Sequence, residues 1–298
     1  MSNNKEDILI FTNGNIFSLI ILSNFIKHYR SRIYKIIIVS GDYKGRSGLS
    51  AKFTYILTTS VFYVFYKYVS LILIKIFRHI FRFKIANVRD LAQLLNIESV
   101  TVSNINDELL FQHVSKSQVD YIISVSCPQL INGKWLSLVG NKAINIHGSM
   151  LPAFSGLAPY FWVLSKGEKT SGISVHYLTR SFDKGDLLSQ ESVTIERNES
   201  CMSLFLKKSI VGSNLLIDSF EKMTQGSLGV SQNFDRYSYF SHPTTIAYFN
   251  LKKNGFYLLR LIDILSMKKE VYRINSLYIN CDMNVIPFYF RKNKHWTK

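Results

Sequence analysis

Residues 142–152 read Lys-Ala-Ile-Asn-Ile-His-Gly-Ser-Met-Leu-Pro. The β-branched residues that alternate from Lys142 to Ile146 predict a short buried strand, and Pro152 ends the segment. Alternate strand residues point to the same face, so Asn145 and His147 face one side together, and Ser149 follows at the same spacing. An amide donor beside an imidazole at the end of a strand predicts a site that stabilises a developing oxyanion.

A second polar cluster lies downstream, Ser-Phe-Asp-Lys-Gly-Asp at residues 181–186. Asp183 follows His147 by 183 − 147 = 36 residues. The intervening segment contains a turn, a helix-like run and a strand from Gly172 to Tyr177, an order that returns the chain to its starting edge. The sequence therefore predicts that Asp183 reaches His147.

The ordered series of polar residues, glycines and prolines from residue 145 to residue 185 resembles the 10-formyltetrahydrofolate-dependent formyltransferases. That family includes methionyl-tRNA formyltransferase, glycinamide ribonucleotide formyltransferase and sugar N-formyltransferases. The resemblance is clearest over residues 119–195. The matching residues are Asn145, His147, Ser149, Leu151, Pro152, Gly156, Pro159, Thr170, Gly172, His176, Asp183 and Gly185.

This resemblance implies roles for individual residues. Asn145, His147 and Asp183 correspond to the catalytic triad of the family, with Asn145 as oxyanion donor and His147 as second donor and general acid. The implied co-substrate is 10-formyltetrahydrofolate, and neither a metal ion nor a covalent nucleophile is needed. The residues expected to shape the substrate site are Ser149, Pro152, Gly156, His176 and Gly185.

The loop after the predicted strand at 119–125 is the implied pterin pocket. In the related enzymes this loop lines the pocket with backbone groups. Cys127 is interpreted as a pocket-wall residue, because the sequence supplies no separate base that would activate its thiol. The cofactor-binding residues expected here are Ser126, Cys127, Pro128, Gln129, Leu130 and Ile131.

The N-terminal part of the chain predicts an α/β fold. Residues 7–40 read as strand, helix, strand, the start of a βαβ unit, although the turn lacks the G-x-G-x-x-G fingerprint. Further strands and helices follow up to an amphipathic helix at 202–223. We expect a doubly wound, mostly parallel, Rossmann-like sheet, with a catalytic domain at 1–225 and a small basic, aromatic-rich C-terminal extension at 226–298.

Residues 53–84 are apolar and aromatic and end in a basic run. Three interpretations remain open: helices of the domain, an amphipathic helix on a membrane surface with basic anchors, and a membrane-spanning helix. Polar residues dispersed through the run and the need for a crossover helix favour the first interpretation.

The net charge indicates which classes of partner to expect, and the cysteine content indicates the compartment. The formal net charge is +16, which is compatible with nucleic acid, an anionic membrane surface or a phosphorylated small molecule. The three cysteines form no C-x-x-C pair and no disulfide framework, so a cytoplasmic location is expected.

The acceptor amine is predicted to belong to a nucleotide-linked amino sugar, whose phosphates would use lysine or arginine. The alternative is the amine of an aminoacyl-tRNA. The sugar is favoured because residues 226–298 do not read as the run of short strands that forms the C-terminal β-barrel of methionyl-tRNA formyltransferases.

Overall fold

A computed structural model describes residues 7–40 and 58–279. Residues 53–57 of the apolar segment and residues 280–298 of the predicted extension lie outside the described residues.

A seven-stranded sheet in the order β3-β2-β1-β4-β5-β7-β8 forms the centre of the molecule. Neighbouring strands are parallel from β3 to β5, and β7 and β8 continue the sheet in antiparallel fashion. A small parallel pair, β6 with β9, lies outside it. The doubly wound, mostly parallel fold is therefore confirmed. The strands are β1 Ile8–Thr12, β2 Ile33–Val39, β3 Ser99–Val102, β4 Tyr121–Val125, β5 Ala143–His147, β6 Ser155–Gly156, β7 Thr170–Tyr177, β8 Leu187–Thr194 and β9 Tyr239–Phe240.

Helices cover both faces of this sheet. On the first face α1 packs along α7, the longest helix, while α5 covers the second face through the buried Trp135. The helices are α1 Ile16–Tyr29, α2 Val61–Ile80, α3 Val88–Leu94, α4 Glu108–Ser115, α5 Gly133–Leu138, α6 Pro159–Ser165, α7 Cys201–Thr224, α8 Thr245–Lys253 and α9 Leu261–Tyr278.

Strand β1 shows why the sheet is buried on both sides. Ile8 and Ile10 pack into the core on the first face, whereas Leu9 and Phe11 pack into the core on the second. Because alternate strand residues point to opposite faces, an uninterrupted apolar run is what a central parallel strand needs. Because β1, β4 and β5 are paired in parallel, their carboxyl ends lie at one edge of the sheet.

Helix α2 occupies most of the apolar segment 53–84. Tyr63, Tyr66, Ser70 and Phe77 point inward from it. Among the helices in residues 7–40 and 58–279, none has both the length and the apolarity that a bilayer crossing requires.

The described part of the C-terminal extension packs against the rest of the molecule. Helix α9 contacts α1 and α7, and β9 pairs with β6. The buried Asn275 of α9 accepts from the backbone N–H of Ile85 at 3.0 Å and donates to its carbonyl at 2.7 Å. The boundary at residue 225 stays a prediction.

Replacement of Asn275 tests whether α9 stabilises the domain. We expect Asn275→Ala to lower the free energy of unfolding by about 2 kcal/mol, because it leaves both backbone groups of Ile85 buried without these partners. Urea unfolding followed by circular dichroism measures the change. The exposed Ser276→Ala on the same helix is the control. An unchanged midpoint in Asn275→Ala would show that these hydrogen bonds contribute no stability to the domain.

Candidate active site

A cavity of about 350 Å³ opens at the carboxyl ends of the central strands. Its wall includes Asn13 after β1, Ser126 after β4, and Asn145 and His147 on β5. Parallel α/β sheets place their ligands at this edge, because loops from neighbouring strands diverge there. The volume is in the range of small-molecule sites.

Asn145 is oriented by His176, its neighbour across the β5–β7 pair. His176 Nδ1 lies 2.8 Å from the carbonyl oxygen of Tyr177, which can only accept, so this nitrogen carries a proton. His176 Nε2 is then free to accept from Asn145 Nδ2 at 3.2 Å. Burial lowers the pKa of His176, in agreement with a neutral ring. The amide nitrogen of Asn145 keeps a second N–H for another acceptor.

His147 is held at both ring nitrogens. Its Nε2 donates to the carbonyl of Phe154 at 3.0 Å, and its Nδ1 lies 3.4 Å from Oδ1 of Asp183. Each ring nitrogen therefore faces an oxygen atom that can accept a hydrogen bond. The side chain is buried but still contributes to the cavity wall.

Asp183 lies between the two histidines, with Oδ1 also 3.7 Å from His176 Nε2. Its Oδ2 accepts from the backbone N–H of Gly156 at 2.8 Å. The residue adopts a positive φ of 55°, a conformation that aspartate tolerates better than most residues. Gln232 donates to its carbonyl at 2.9 Å and fixes the turn. The structure thus brings together Asn145, His147 and Asp183.

Two glycines allow this close approach. Gly156 has φ +93°, and a Cβ there would lie 2.3 Å from the carbonyl oxygen of Phe240. A Cβ on Gly185 would lie 1.8 Å from the carbonyl oxygen of Tyr177. No side chain fits at either position without movement of the backbone.

Ser149 and Pro152 lie behind the cavity and not in its wall. The Ser149 hydroxyl donates to the carbonyl of Ala153 at 2.7 Å, and the Ser149 carbonyl accepts from the hydroxyl of Ser174. The carbonyl of Pro152 accepts from the backbone N–H of Ser238 at 3.4 Å. Both residues therefore shape the loop that follows β5.

The predicted cofactor loop lines the cavity along its whole length, from Ser126 to Ile131. Gln129 fixes it, because its amide donates to the carbonyl of Ser103 at 2.6 Å and accepts from the N–H of Ile105 at 3.0 Å. Burial raises the pKa of the Cys127 thiol to about 11, so the thiol stays protonated at neutral pH. Ile131 and Cys127 of this loop pack with the core on the second face of the sheet.

The opposite wall contains residues that the sequence did not single out. Tyr63 from α2 and Tyr160 from α6 contact each other through their hydroxyl groups, and Tyr160 stacks on Phe205 of α7 at a ring-centroid distance of 4.5 Å. These side chains belong to the core on the first face. Lys67 and Lys208 line the same wall.

Lys208 is the unusual member of this wall. Its side chain is 1% exposed, and its Nζ donates to the carbonyl of Gly148 at 2.7 Å and to the hydroxyl of Ser171 at 3.3 Å. Within residues 7–40 and 58–279 it forms no ion pair with a carboxylate. Burial lowers its pKa to about 7. A lysine on the apolar stripe of α7, in register with Leu204 and Leu215, was the available sequence signal.

Within the described part of the chain, no cluster of three or more histidine, cysteine, aspartate or glutamate side chains has an arrangement that would bind a metal ion.

Comparison with known proteins agrees with this geometry. Residues 83–219 match the family model described as formyl transferase. This part of the chain is similar to the formyl transferase family. The resemblance noted for residues 119–195 is confirmed, and the match includes the predicted cofactor loop, the Asn145–His147–Asp183 cluster and Lys208.

The curated relatives of this segment differ in their named substrates. The chain is 32% identical over 141 residues to methionyl-tRNA formyltransferase of Limosilactobacillus fermentum, covering 47% of this chain and 45% of the relative. It is 31% identical over 145 residues to GDP-perosamine N-formyltransferase of Brucella melitensis, covering 49% and 56%. The chain thus spans about half the length of the curated relatives that it matches.

Solved formyl transferase structures share the fold. The N-formyltransferase from Helicobacter canadensis, solved with folinic acid and dTDP-3-aminofucose, gives a TM-score of 0.55 at 15% identity and covers 86% of this chain and 84% of its own. Glycinamide ribonucleotide transformylase 1 from Symbiobacterium toebii gives 0.54 at 16% identity, covering 78% and 95%.

Proposed function

We propose that this protein transfers a formyl group from 10-formyltetrahydrofolate to a primary amine. The observation that carries the proposal is the meeting of the Asn145 amide, the His147 imidazole and the Asp183 carboxylate in one cavity at the carboxyl ends of the strands. These are the groups that acyl transfer to a neutral amine requires.

Asn145 is the donor to the formyl oxygen. When the amine attacks the formyl carbon, negative charge develops on that oxygen, and the free N–H of the Asn145 amide is proposed to stabilise it. Because His176 already binds the other N–H, the amide is oriented before the substrates arrive. Preorganisation of this kind avoids the cost of turning the donor during the reaction.

His147 and Asp183 handle the protons. The attacking nitrogen gains positive charge and must lose a proton, while the leaving nitrogen of the folate must receive one. His147 is proposed as the acid, and Asp183 accepts the amine's proton directly or through water. Asp183 Oδ1 lies 3.4 Å from His147 Nδ1, so the two groups are close enough to act on one substrate together.

The loop from Ser126 to Ile131 is the proposed site of the folate pterin. It presents a polar backbone along a partly apolar wall, and Gln129 already holds its shape. Such a wall fits a flat heterocycle with hydrogen-bonding edges. The donor supplies the activated formyl group, and the chain's residues bind and orient it.

The acceptor is then proposed to occupy the opposite wall, beside Tyr63, Tyr160 and Lys208. A buried ammonium without a carboxylate partner is costly, and an anionic group on the acceptor would offset that cost. Lys67 adds a second cation to this wall, and α2, which carries Lys67, contains no aspartate or glutamate. We therefore favour the amine of a nucleotide-linked amino sugar.

The second candidate acceptor is an aminoacyl-tRNA amine, which is favoured by the relatives named methionyl-tRNA formyltransferase. Binding of RNA would fall steeply with salt concentration. A cytoplasmic location, where both acceptors occur, stays a prediction.

Lys208→Met tests the acceptor assignment. We expect the KM for the anionic acceptor to rise about tenfold or more, because a charge-assisted contact is lost. The KM for the folate should stay unchanged. Lys222→Met, on the same helix but outside the cavity wall, is the matched control. A fall in kcat with both KM values unchanged would contradict an acceptor contact.

The pH dependence of the free energy of unfolding gives a second measurement for Lys208→Met. With a folded-state pKa of about 7 against an ordinary 10.5, the unfolded chain binds more protons between these values. The free energy of unfolding therefore increases as the pH rises through this interval. Lys208→Met should lack this part of the increase when its unfolding is compared with wild type at pH 7 and above.

The function is tested by incubating the protein with 10-formyltetrahydrofolate and a panel of amines. The panel contains nucleotide-linked 3-amino and 4-amino sugars, the corresponding free amino sugars and charged initiator tRNA. Mass spectrometry detects the formylated product. Formylation of the nucleotide-linked sugars ahead of the free sugars supports the proposal. Formylation of tRNA alone would replace the proposed acceptor with the second candidate.

A further inference from the structure

The outward face of α2 is mostly apolar, and its exposed basic residues lie in the last two turns. Phe65, Tyr68 and Ile72 are 70%, 66% and 51% exposed, and they follow one another at helical spacing. A surface helix of a soluble domain normally presents polar residues on this face. The other exposed apolar residues of the helix are Val61, Phe62, Leu71, Ile76 and Ile80.

Helix α8 extends this apolar surface. Phe62 of α2 stacks on Tyr248 of α8 with ring centroids 4.3 Å apart, and its ring also meets Phe249 edge-on. The N–H of Ser60 donates to the carbonyl of Pro243 at 2.7 Å, which ties the two elements together at their start. Ile246 and Phe249 are exposed beside the α2 residues. We call this continuous surface the α2–α8 face.

The charge on the α2–α8 face has one sign. The sequence contains no aspartate or glutamate in residues 58–89 or in residues 236–262. Arg78 is paired with Asp90 of α3 at 3.0 Å, so it is partly neutralised. The other exposed cationic or titratable side chains of these two segments include Lys75, His79, Arg82, Lys84, Lys252 and Lys253.

We propose that the α2–α8 face binds the surface of an anionic phospholipid bilayer. The exposed aromatic and aliphatic side chains would enter the boundary between headgroups and acyl chains, and the lysines beside them would contact lipid phosphates. The large exposed apolar area marks an interaction surface. A protein partner is disfavoured, because the cores of protein interfaces are depleted in lysine.

Binding in this way would place the cavity close to the membrane. Tyr63 and Lys67 leave α2 on the side opposite to Phe65 and Ile72, and they line the acceptor wall. The bilayer would therefore contact the back of the wall at which the acceptor is proposed to bind.

The experiment is co-sedimentation of the full chain with vesicles. One set contains equal parts of phosphatidylcholine and phosphatidylglycerol, and the other contains phosphatidylcholine alone. We expect binding to the anionic vesicles, weak binding to the neutral ones, and a loss of binding as salt is raised. Phe65→Glu combined with Ile72→Glu should lower the partition coefficient about tenfold or more. Lys252→Glu combined with Lys253→Glu should lower it at least about fivefold.

Two controls keep the proposal falsifiable. Leu109→Glu, an exposed leucine on α4 at the second face of the sheet, should bind vesicles like wild type. Light scattering of the full chain measures the association of copies. Absence of binding to anionic vesicles would overturn the proposal, as would equal binding by the α2 variant. A stable dimer that Phe65→Glu and Ile72→Glu dissociate, without vesicle binding, would assign the face to a second copy and overturn it too.

Discussion

Asn145→Ala, His147→Ala and Asp183→Ala are each expected to lower turnover by about a hundredfold or more. The first removes the proposed donor to the formyl oxygen. The second removes the proposed acid, and the third removes the carboxylate beside His147 that is proposed to accept the amine's proton. All three side chains contact the cavity or one another, so the loss should appear in kcat and only weakly in the acceptor KM. Initial rates followed by mass spectrometry of the product measure it.

These variants also test whether the three residues act as one unit. The double variant Asn145→Ala with His147→Ala should be little slower than the slower single variant, because groups that serve one transition state are not additive. Folate binding and the thermal unfolding midpoint serve as controls for folding. Turnover close to wild type in all three single variants would contradict the assignment of the site.

Gly185→Ala is expected to have the second large effect, on stability and on the site together. Its Cβ would lie 1.8 Å from the carbonyl oxygen of Tyr177, a backbone atom at the end of β7 that cannot rotate away. Forced separation of this kind costs about 1–3 kcal/mol in the free energy of unfolding. The displaced turn also carries Asp183, which should move away from His147. Denaturant unfolding and kcat measure the two effects.

Gly133→Ala is the matched control for this substitution. Its Cβ would meet the end of the flexible Arg180 side chain at 3.2 Å, and it lies at the start of α5, where alanine is the better helix former. We expect its stability to equal or slightly exceed that of wild type. If Gly185→Ala were as stable and active as Gly133→Ala, the packing described for this turn would be wrong.

Local patterns in the sequence were sufficient to predict the sheet and the residues at the centre of the candidate site. The alternation around Asn145 and His147 predicted a strand that is observed from Ala143 to His147. The strand–helix–strand order of residues 7–40 predicted the parallel start of the sheet. These predictions succeeded because a buried strand leaves a direct trace in the spacing of its apolar residues.

Features that depend on long-range packing were not predicted. Helix α5 has only six residues, Gly133–Leu138, and is stabilised by the burial of Trp135 and not by its own periodicity. Helix α9 was missed because its polar residues hide a narrow buried stripe that includes Asn275. Lys208 was not singled out, since only the fold shows that its side chain lines the cavity.

The most direct test of formyl transfer uses 10-formyltetrahydrofolate that is isotopically labelled in the formyl carbon. Wild-type protein and Asn145→Ala are incubated with the labelled donor and the best amine of the panel, and the masses of the amine and the folate are followed. We expect wild type to move the labelled formyl group to the amine and to release tetrahydrofolate in equal amount, and we expect Asn145→Ala to do so about a hundredfold more slowly. Tight binding of the donor without any labelled product, across the whole panel, would contradict this expectation.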